Sequence, residues 1–195
     1  YIDVHLFSGA WISCEKSTYA HAVLVFILSS NITRSLTDQY GLPPEKVACI
    51  FVGPNIPVNA FDPAQKDYTQ KNILFIGFDW ERKGGPDLLQ AFEKVFADHP
   101  DARLTIIGSP LQSHHPAIRS VGKVPVEDLY RYYKEATIFC MPSYVEPFGV
   151  VFVEAMAYAL PIVATTIGAI PDIVREGKNG FLVEPGDTNA LAGAL

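Results

Sequence analysis

Seven short apolar runs punctuate the chain, rich in Val, Ile and Phe: "AVLVFIL" (22–28), "VACIFV" (47–52), "NILFIG" (72–77), "RLTIIG" (103–108), "ATIFCM" (136–141), "PIVAT" (161–165) and "GFLVE" (180–184). They are continuous instead of alternating, which is the pattern of parallel strands buried on both faces. Between them the period changes to that of helices. "SNITRSLTDQYG" opens on a Ser/Asn cap and closes on Gly41. "GPDLLQAFEKVFADHP" sets Leu88, Leu89, Phe92, Val95 and Phe96 at helical spacing, with Pro86 near its start and Pro100 beyond its end. "VEDLYRYYKEA", "GVVFVEAMAYA" and "DTNALAGAL" complete the set, the last opening on Asp187 as a cap. Strand–helix alternation of this kind predicts an α/β fold with a doubly wound, Rossmann-like parallel sheet.

One stretch breaks the pattern. "VGPNIPVNAFDPAQKDYTQ" (52–70) carries Pro54, Pro57 and Pro63 without periodicity and reads as a connection. The organisation expected is the end of one α/β domain over residues 1–56, a linker over 57–70, and most of a second domain over 71–195. The opening "YIDVHLF" has no basic n-region and no initiating methionine, and the chain stops inside a helical pattern, so the sequence reads as a piece of a longer one.

Composition then removes classes of function. Of the 195 residues, 49% are hydrophobic and 18% charged, as in ordinary globular domains, and the formal net charge of −6 argues against a nucleic-acid surface. An anionic ligand must be held by local cations or backbone dipoles. The longest apolar stretch, Ala22 to Leu28, is far short of the roughly 20 residues of a membrane span, so a cytoplasmic protein is expected. Cys14, Cys49 and Cys140 are odd in number and scattered, and read as reduced residues. His114 and His115 have no acid or cysteine beside them, so no metal site is assigned. Asn31-Ile32-Thr33 is a glycosylation sequon by pattern only and is set aside.

In an open parallel sheet, ligands bind beyond the carboxyl ends of the strands, so the loops "FDWERKGG", "SPLQSHHP" and "PSYVEPFG" are where chemistry belongs. Arg82 and Lys83 precede two glycines and a helix start, the combination of fixed charge and unpaired N–H groups that a phosphate takes; a solvated turn is the plainer alternative. Gly149 allows close backbone approach at the start of a second helix, whose positive end faces outward. Glu146, in the loop before it, can accept hydrogen bonds from sugar hydroxyls. Glu154 sits within that helix among Val151, Phe152, Val153, Ala155 and Met156. Such a carboxylate needs a partner, for which a ribose diol serves, or else it lies on a solvent face. Two carboxylates also suggest glycoside hydrolysis, but no second helix supplies a nucleophile and the phosphate-like loops speak against it.

Those residues carry a resemblance. "EPFGVVFVEAMAYALPIVAT" resembles the signature of the retaining glycosyltransferase family four: a glutamate followed by Pro-Phe-Gly, then a second glutamate after seven intervening residues. "GFDWERKGGPDLLQAF", "ARLTIIGSP", "VGKVPVEDLYRYYKEATIFCMPS" and "GAIPDIVREGKNGFLVEPGD" are similar to its other blocks, in order and spacing, over nearly all of residues 70–195. The resemblance implies a GT-B architecture, with two Rossmann-like domains facing each other. The second would bind a nucleotide-diphosphate sugar, a UDP- or GDP-hexose, and the first a carbohydrate or lipid acceptor; 1–56 resembles the end of that first domain. No metal and no cofactor are implied, and membrane contact, where family members make it, is peripheral and through the first domain. By the same resemblance, Lys83 contacts the diphosphate and Glu146 the donor sugar, as the catalytic pair. Gly77, Arg82, Phe148, Gly149 and Val150 would line the donor site, Glu154 would hold the ribose, and the base would lie near Gly122–Val124. The family's usual arginine after the strand glycine is replaced by Phe78, and Arg82 is expected to supply that charge. The piece by itself is expected to be inactive. A nucleotide-sugar sensor without turnover and a plain regulatory Rossmann-like domain are the competing readings.

Overall fold

A computed structural model describes residues 8–58, 61–109 and 111–195. The opening "YIDVHLF", Asn59 and Ala60 of the expected linker, and Pro110 of "ARLTIIGSP" lie outside the described residues. The chain divides into two compact units, Tyr1–Val52 and Gly53–Leu195.

In the first unit, α1 (Gly9–His21) precedes β1 (Val25–Ile27), α2 (Ser30–Arg34) and β2 (Val47–Cys49). The two strands pair in parallel with Val25 opposite Val47. Ser29 caps α2 by accepting from the Ile32 amide at 3.3 Å, and the helix runs on into one π-type turn, Ser35–Gln39. Ile27, Leu36, Tyr40 and Leu42 form its small core.

The second unit holds β3 (Asn72–Ile76), α3 (Gly85–Asp98), β4 (Arg103–Ile107), β5 (Ile118–Gly122), α4 (Leu129–Glu135), β6 (Ile138–Met141), α5 (Val150–Ala157), β7 (Ile162–Thr165), α6 (Ile170–Ile173), β8 (Gly180–Val183) and α7 (Thr188–Ala194). Its six strands run in the order β5-β4-β3-β6-β7-β8, every neighbouring pair parallel. This is the doubly wound sheet expected. The continuous apolar runs have their cause in coverage of both faces: all four residues of β7 and four of the five in β3 are buried. The amphipathic α3 turns Leu88, Ala91, Phe92 and Val95 inward and packs against α7, with Lys94 Nζ reaching Asn189 Oδ1 at 2.7 Å.

Strand order reverses between β3 and β6. Chain leaving β3 turns to one side of the sheet and chain leaving β6 to the other, so their carboxyl ends leave a crevice between the loops 77–84 and 142–149. Three elements have no counterpart in the apolar pattern: α1, α6 and β5. Strand β5 is an edge with only β4 beside it, its register slips opposite Ile106 and Ile107, and Arg119 and Ser120 interrupt its run.

Candidate functional site at the switch point

The loop after β3 is a compact turn. The Lys83 amide donates to the Asp79 carbonyl at 2.9 Å, Gly84 to Glu81 at 3.0 Å, and Gly85 to Trp80 at 2.9 Å. That winding brings Gly84 to φ +71° at the cap of α3, where a Cβ would stand 1.9 Å from the Pro142 carbonyl oxygen. Only glycine allows the β6 loop to lie that close.

The two loops are then bonded together. The Tyr144 amide donates to the Arg82 carbonyl at 2.9 Å, and the Arg82 guanidinium donates to the Val145 carbonyl at 2.7 Å. The Tyr144 hydroxyl donates to Asp87 Oδ2 at 2.6 Å, in the first turn of α3. Arg82 also donates from Nε to Asp79 Oδ2 at 2.9 Å, and this contact, more than any other, lowers the Asp79 carboxyl below its usual range. The charge expected to replace the missing arginine is thus engaged with Asp79 and a carbonyl in this structure. Arg82 is half-buried and its partners Asp79 and Val145 are exposed, so Arg82→Ala is expected to lower the unfolding free energy by no more than about 1 kcal/mol. A shifted urea midpoint at constant slope would report it.

At the centre, Lys83 Nζ is ion-paired with Glu146 Oε2. The pair is largely shielded, at 14% side-chain exposure for Lys83 and 6% for Glu146. Gly149 caps α5 at φ +88°, where a Cβ would come within 2.4 Å of the Phe152 ring and 3.3 Å of Glu146 Cγ. The N-terminal ends of α3 and α5 therefore flank one lysine–glutamate pair, and first-turn N–H groups have no acceptor within their own helix. Ser143, between them, is fully buried, and its Oγ is the buried side-chain oxygen without a partner among the described residues.

Of the other residues named from sequence, Phe148 is buried and Val150 half-buried beside Gly149. Gly77 ends β3, donating to the Ile107 carbonyl at 2.9 Å and accepting from the Ser109 hydroxyl at 2.6 Å. Val124 is half-buried and follows β5, on the same sheet edge but two strands from the switch point. Phe78 is 70% exposed at the end of β3.

Glu154 does not lie on a solvent face. It is 4% exposed, and its carboxylate accepts from the Tyr133 hydroxyl at 2.9 Å and from the Asn55 amide at 3.2 Å. Burial raises its pKa, and those two hydrogen bonds pull it down. Sequence reasoning missed both donors. Tyr133 stands among Tyr130 and Tyr132 with no mark of its own, and Asn55 acts through its main chain. Among the described residues no three His, Cys, Asp or Glu side chains gather as a metal site, and no helix is long and apolar enough to cross a membrane.

The switch point of a doubly wound parallel sheet, faced here by two helix N-termini, is the place where such sheets bind ligands, anionic ones in particular. The glycosyl transferases group 1 profile matches residues 70–195, and the chain belongs to that family. It is similar to the D-inositol 3-phosphate glycosyltransferases of Corynebacterium urealyticum (30% identity) and Corynebacterium aurimucosum (26%), each match covering 93% of this chain and 50% of the relative. The chain thus spans about half the length of these relatives. Among solved structures it superposes on Anabaena HepE in complex with UDP with a TM-score of 0.82, at 21% identity over 98% of this chain and 58% of that one. Sucrose-phosphate synthase from Thermosynechococcus elongatus matches with a TM-score of 0.75 at 26% identity, over 99% and 53%. The Rossmann-like fold of this chain is shared with both structures.

Proposed function

We propose that this chain carries the donor site of a retaining, metal-independent hexosyltransferase that takes a UDP- or GDP-hexose and passes the sugar to a carbohydrate or lipid acceptor. The observation that carries the reading is the shielded Lys83–Glu146 pair between the starts of α3 and α5. A diphosphate arriving there brings the negative charge that Lys83 now finds in Glu146. Lys83 then offsets charge on the departing nucleotide, and Glu146, released, accepts hydrogen bonds from the donor sugar. The N–H groups at Phe148, Gly149 and Val150 hold the remaining oxygens. Rate enhancement in this scheme is electrostatic: fixed donors face charge that grows as the glycosidic bond breaks, with no reorganisation at that moment. The UDP named with the HepE structure, a property of that protein, favours uridine among the nucleotides to try first.

Calorimetric titration of the chain with UDP-glucose, GDP-mannose and ADP-glucose, without added metal, tests the reading. One donor is expected to bind, and Glu154→Gln and Lys83→Ala are each expected to weaken it by at least about tenfold, as loss of a charge-assisted hydrogen bond should. Binding that survives both changes would defeat the proposal. Binding without transfer, measured with acceptor on a chain of the relatives' full length, would favour a sensor instead, in keeping with an uncharged Phe78 and an engaged Arg82.

A further inference from the structure

We propose that Tyr133 and the main-chain amide of Asn55 are positioning residues that fix the Glu154 carboxylate for a vicinal diol on the bound nucleoside. The inference rests on the reading of Glu154 as the ribose-binding group and adds what holds it in place. Each carboxylate oxygen takes one donor from the protein, Oε1 from Asn55 at 3.2 Å and Oε2 from Tyr133 at 2.9 Å. A carboxylate has about four lone-pair positions, so one on each oxygen remains, which matches the two hydroxyls of a diol.

Both donors are themselves held. Tyr133 is fully buried, its ring stacked on Tyr158 at 5.7 Å and 12° and tilted against Phe139 at 6.1 Å. The Tyr158 hydroxyl donates to the Pro57 carbonyl, which secures the segment that carries Asn55. Lys66 Nζ donates to the carbonyls of Tyr133 and Lys134, at 2.7 and 2.9 Å, and fixes the end of α4. An apolar residue at 154 would pack here at lower cost, because a shielded carboxylate on an apolar helix gives up its hydration. Two protein donors, one per oxygen, stabilise the charge and leave its outer lone pairs in a set direction.

Among the described residues, the titratable side chain bonded to Glu154 is Tyr133 on α4, on whose ring Tyr158, just beyond α5, is stacked. Burial, before any other cause, raises the pKa of both, so both stay neutral across the working range. Asn55 contributes a neutral amide, and among the described residues no cation pairs with Glu154. Burial raises the Glu154 carboxyl while Tyr133 and Asn55 lower it. Without Tyr133's hydroxyl the carboxyl protonates at higher pH, and a protonated carboxyl no longer accepts from a diol on both oxygens.

The test is titration of the chain with UDP, GDP and ADP from acid to neutral pH. Tyr133→Phe is expected to bind the preferred diphosphate about fivefold more weakly at neutral pH and to begin losing it at a higher pH than the parent. Asn55→Pro, which removes the opposite donor at an exposed residue, is expected to give the same two changes. Asn55→Ala keeps the amide and is expected to change neither. A purely structural tyrosine would shift the melting temperature and leave the pH midpoint where it was; that result, or parental affinity in both Tyr133→Phe and Asn55→Pro, overturns the inference while a weak Glu154→Gln keeps the underlying reading. Parental binding by Glu154→Gln, or no binding of any diphosphate by the parent, overturns both.

Discussion

Lys83→Ala is expected to lose donor binding and to lower stability by about 3 kcal/mol, because it leaves Glu146 shielded and unpaired. The two losses have different causes and separate in a second variant. With Lys83 gone, Glu146→Gln removes the stranded charge, so Lys83→Ala/Glu146→Gln should recover most of the lost stability. Donor binding should not return, since the cation that meets the diphosphate is still missing. Urea unfolding of the parent, the two single variants and the double variant closes the cycle. A coupling of less than about 0.5 kcal/mol would mean that the pair is no more than a surface contact. Glu146→Gln alone is the informative single change: it leaves Lys83 without its carboxylate near the crevice mouth, where water reaches an ammonium more easily. Its stability cost should therefore be the smaller of the two.

What the sequence made legible follows burial. Strands β3, β6 and β7 stood out because both faces are covered and their apolar runs go almost uninterrupted, and β4 because Leu104, Ile106 and Ile107 are buried around a single Thr105. The edge strand β5 has one neighbour and carries Arg119 and Ser120, so its pattern resembles a loop. Lys83, Glu146 and Gly149 were found because a parallel sheet puts its chemistry in two identifiable loops, the first carrying adjacent cations before a glycine pair and the second a single carboxylate before a glycine. Glu154 was harder. The sequence offered a solvent face or a ligand, and the structure supplies a donor from Asn55, 99 positions away, and another from Tyr133 on a different helix. No local pattern encodes a partner at that separation. Arg82 shows the same limit at short range, since its neighbour Lys83 faces Glu146 while Arg82 turns to Asp79 and to a carbonyl of the other loop. The proline-rich stretch at 52–70 has no period, yet from Gly53 on it is part of the second unit, where Asn55, Pro57, Lys66 and Tyr68 bond to Glu154, Tyr158, α4 and Ala159. Composition identified an irregular segment there, and backbone and side-chain hydrogen bonds determine where it lies.

Gly84→Ala is expected to be among the most damaging small changes at the described residues. Two effects coincide at this position. Alanine at φ +71° costs about 1 kcal/mol in backbone strain alone. Its Cβ would also stand 1.9 Å from the Pro142 carbonyl oxygen, a contact with backbone that no rotamer change relieves. The β3 and β6 loops must then separate, which breaks the bond between Tyr144 and Arg82, the bond between Arg82 and Val145, and the alignment of Lys83 with Glu146. A total loss of about 3 kcal/mol or more, with no measurable UDP binding, is the expected result. Gly177→Ala provides the control, because Gly177 has φ +68° and nothing within 4 Å of its Cβ position. It carries the strain without the clash and should cost only about 1 kcal/mol, with donor affinity unchanged. If the two variants unfold at the same urea concentration, the close approach of the loops is not what makes Gly84 necessary, and the crevice must tolerate a wider opening than its geometry implies.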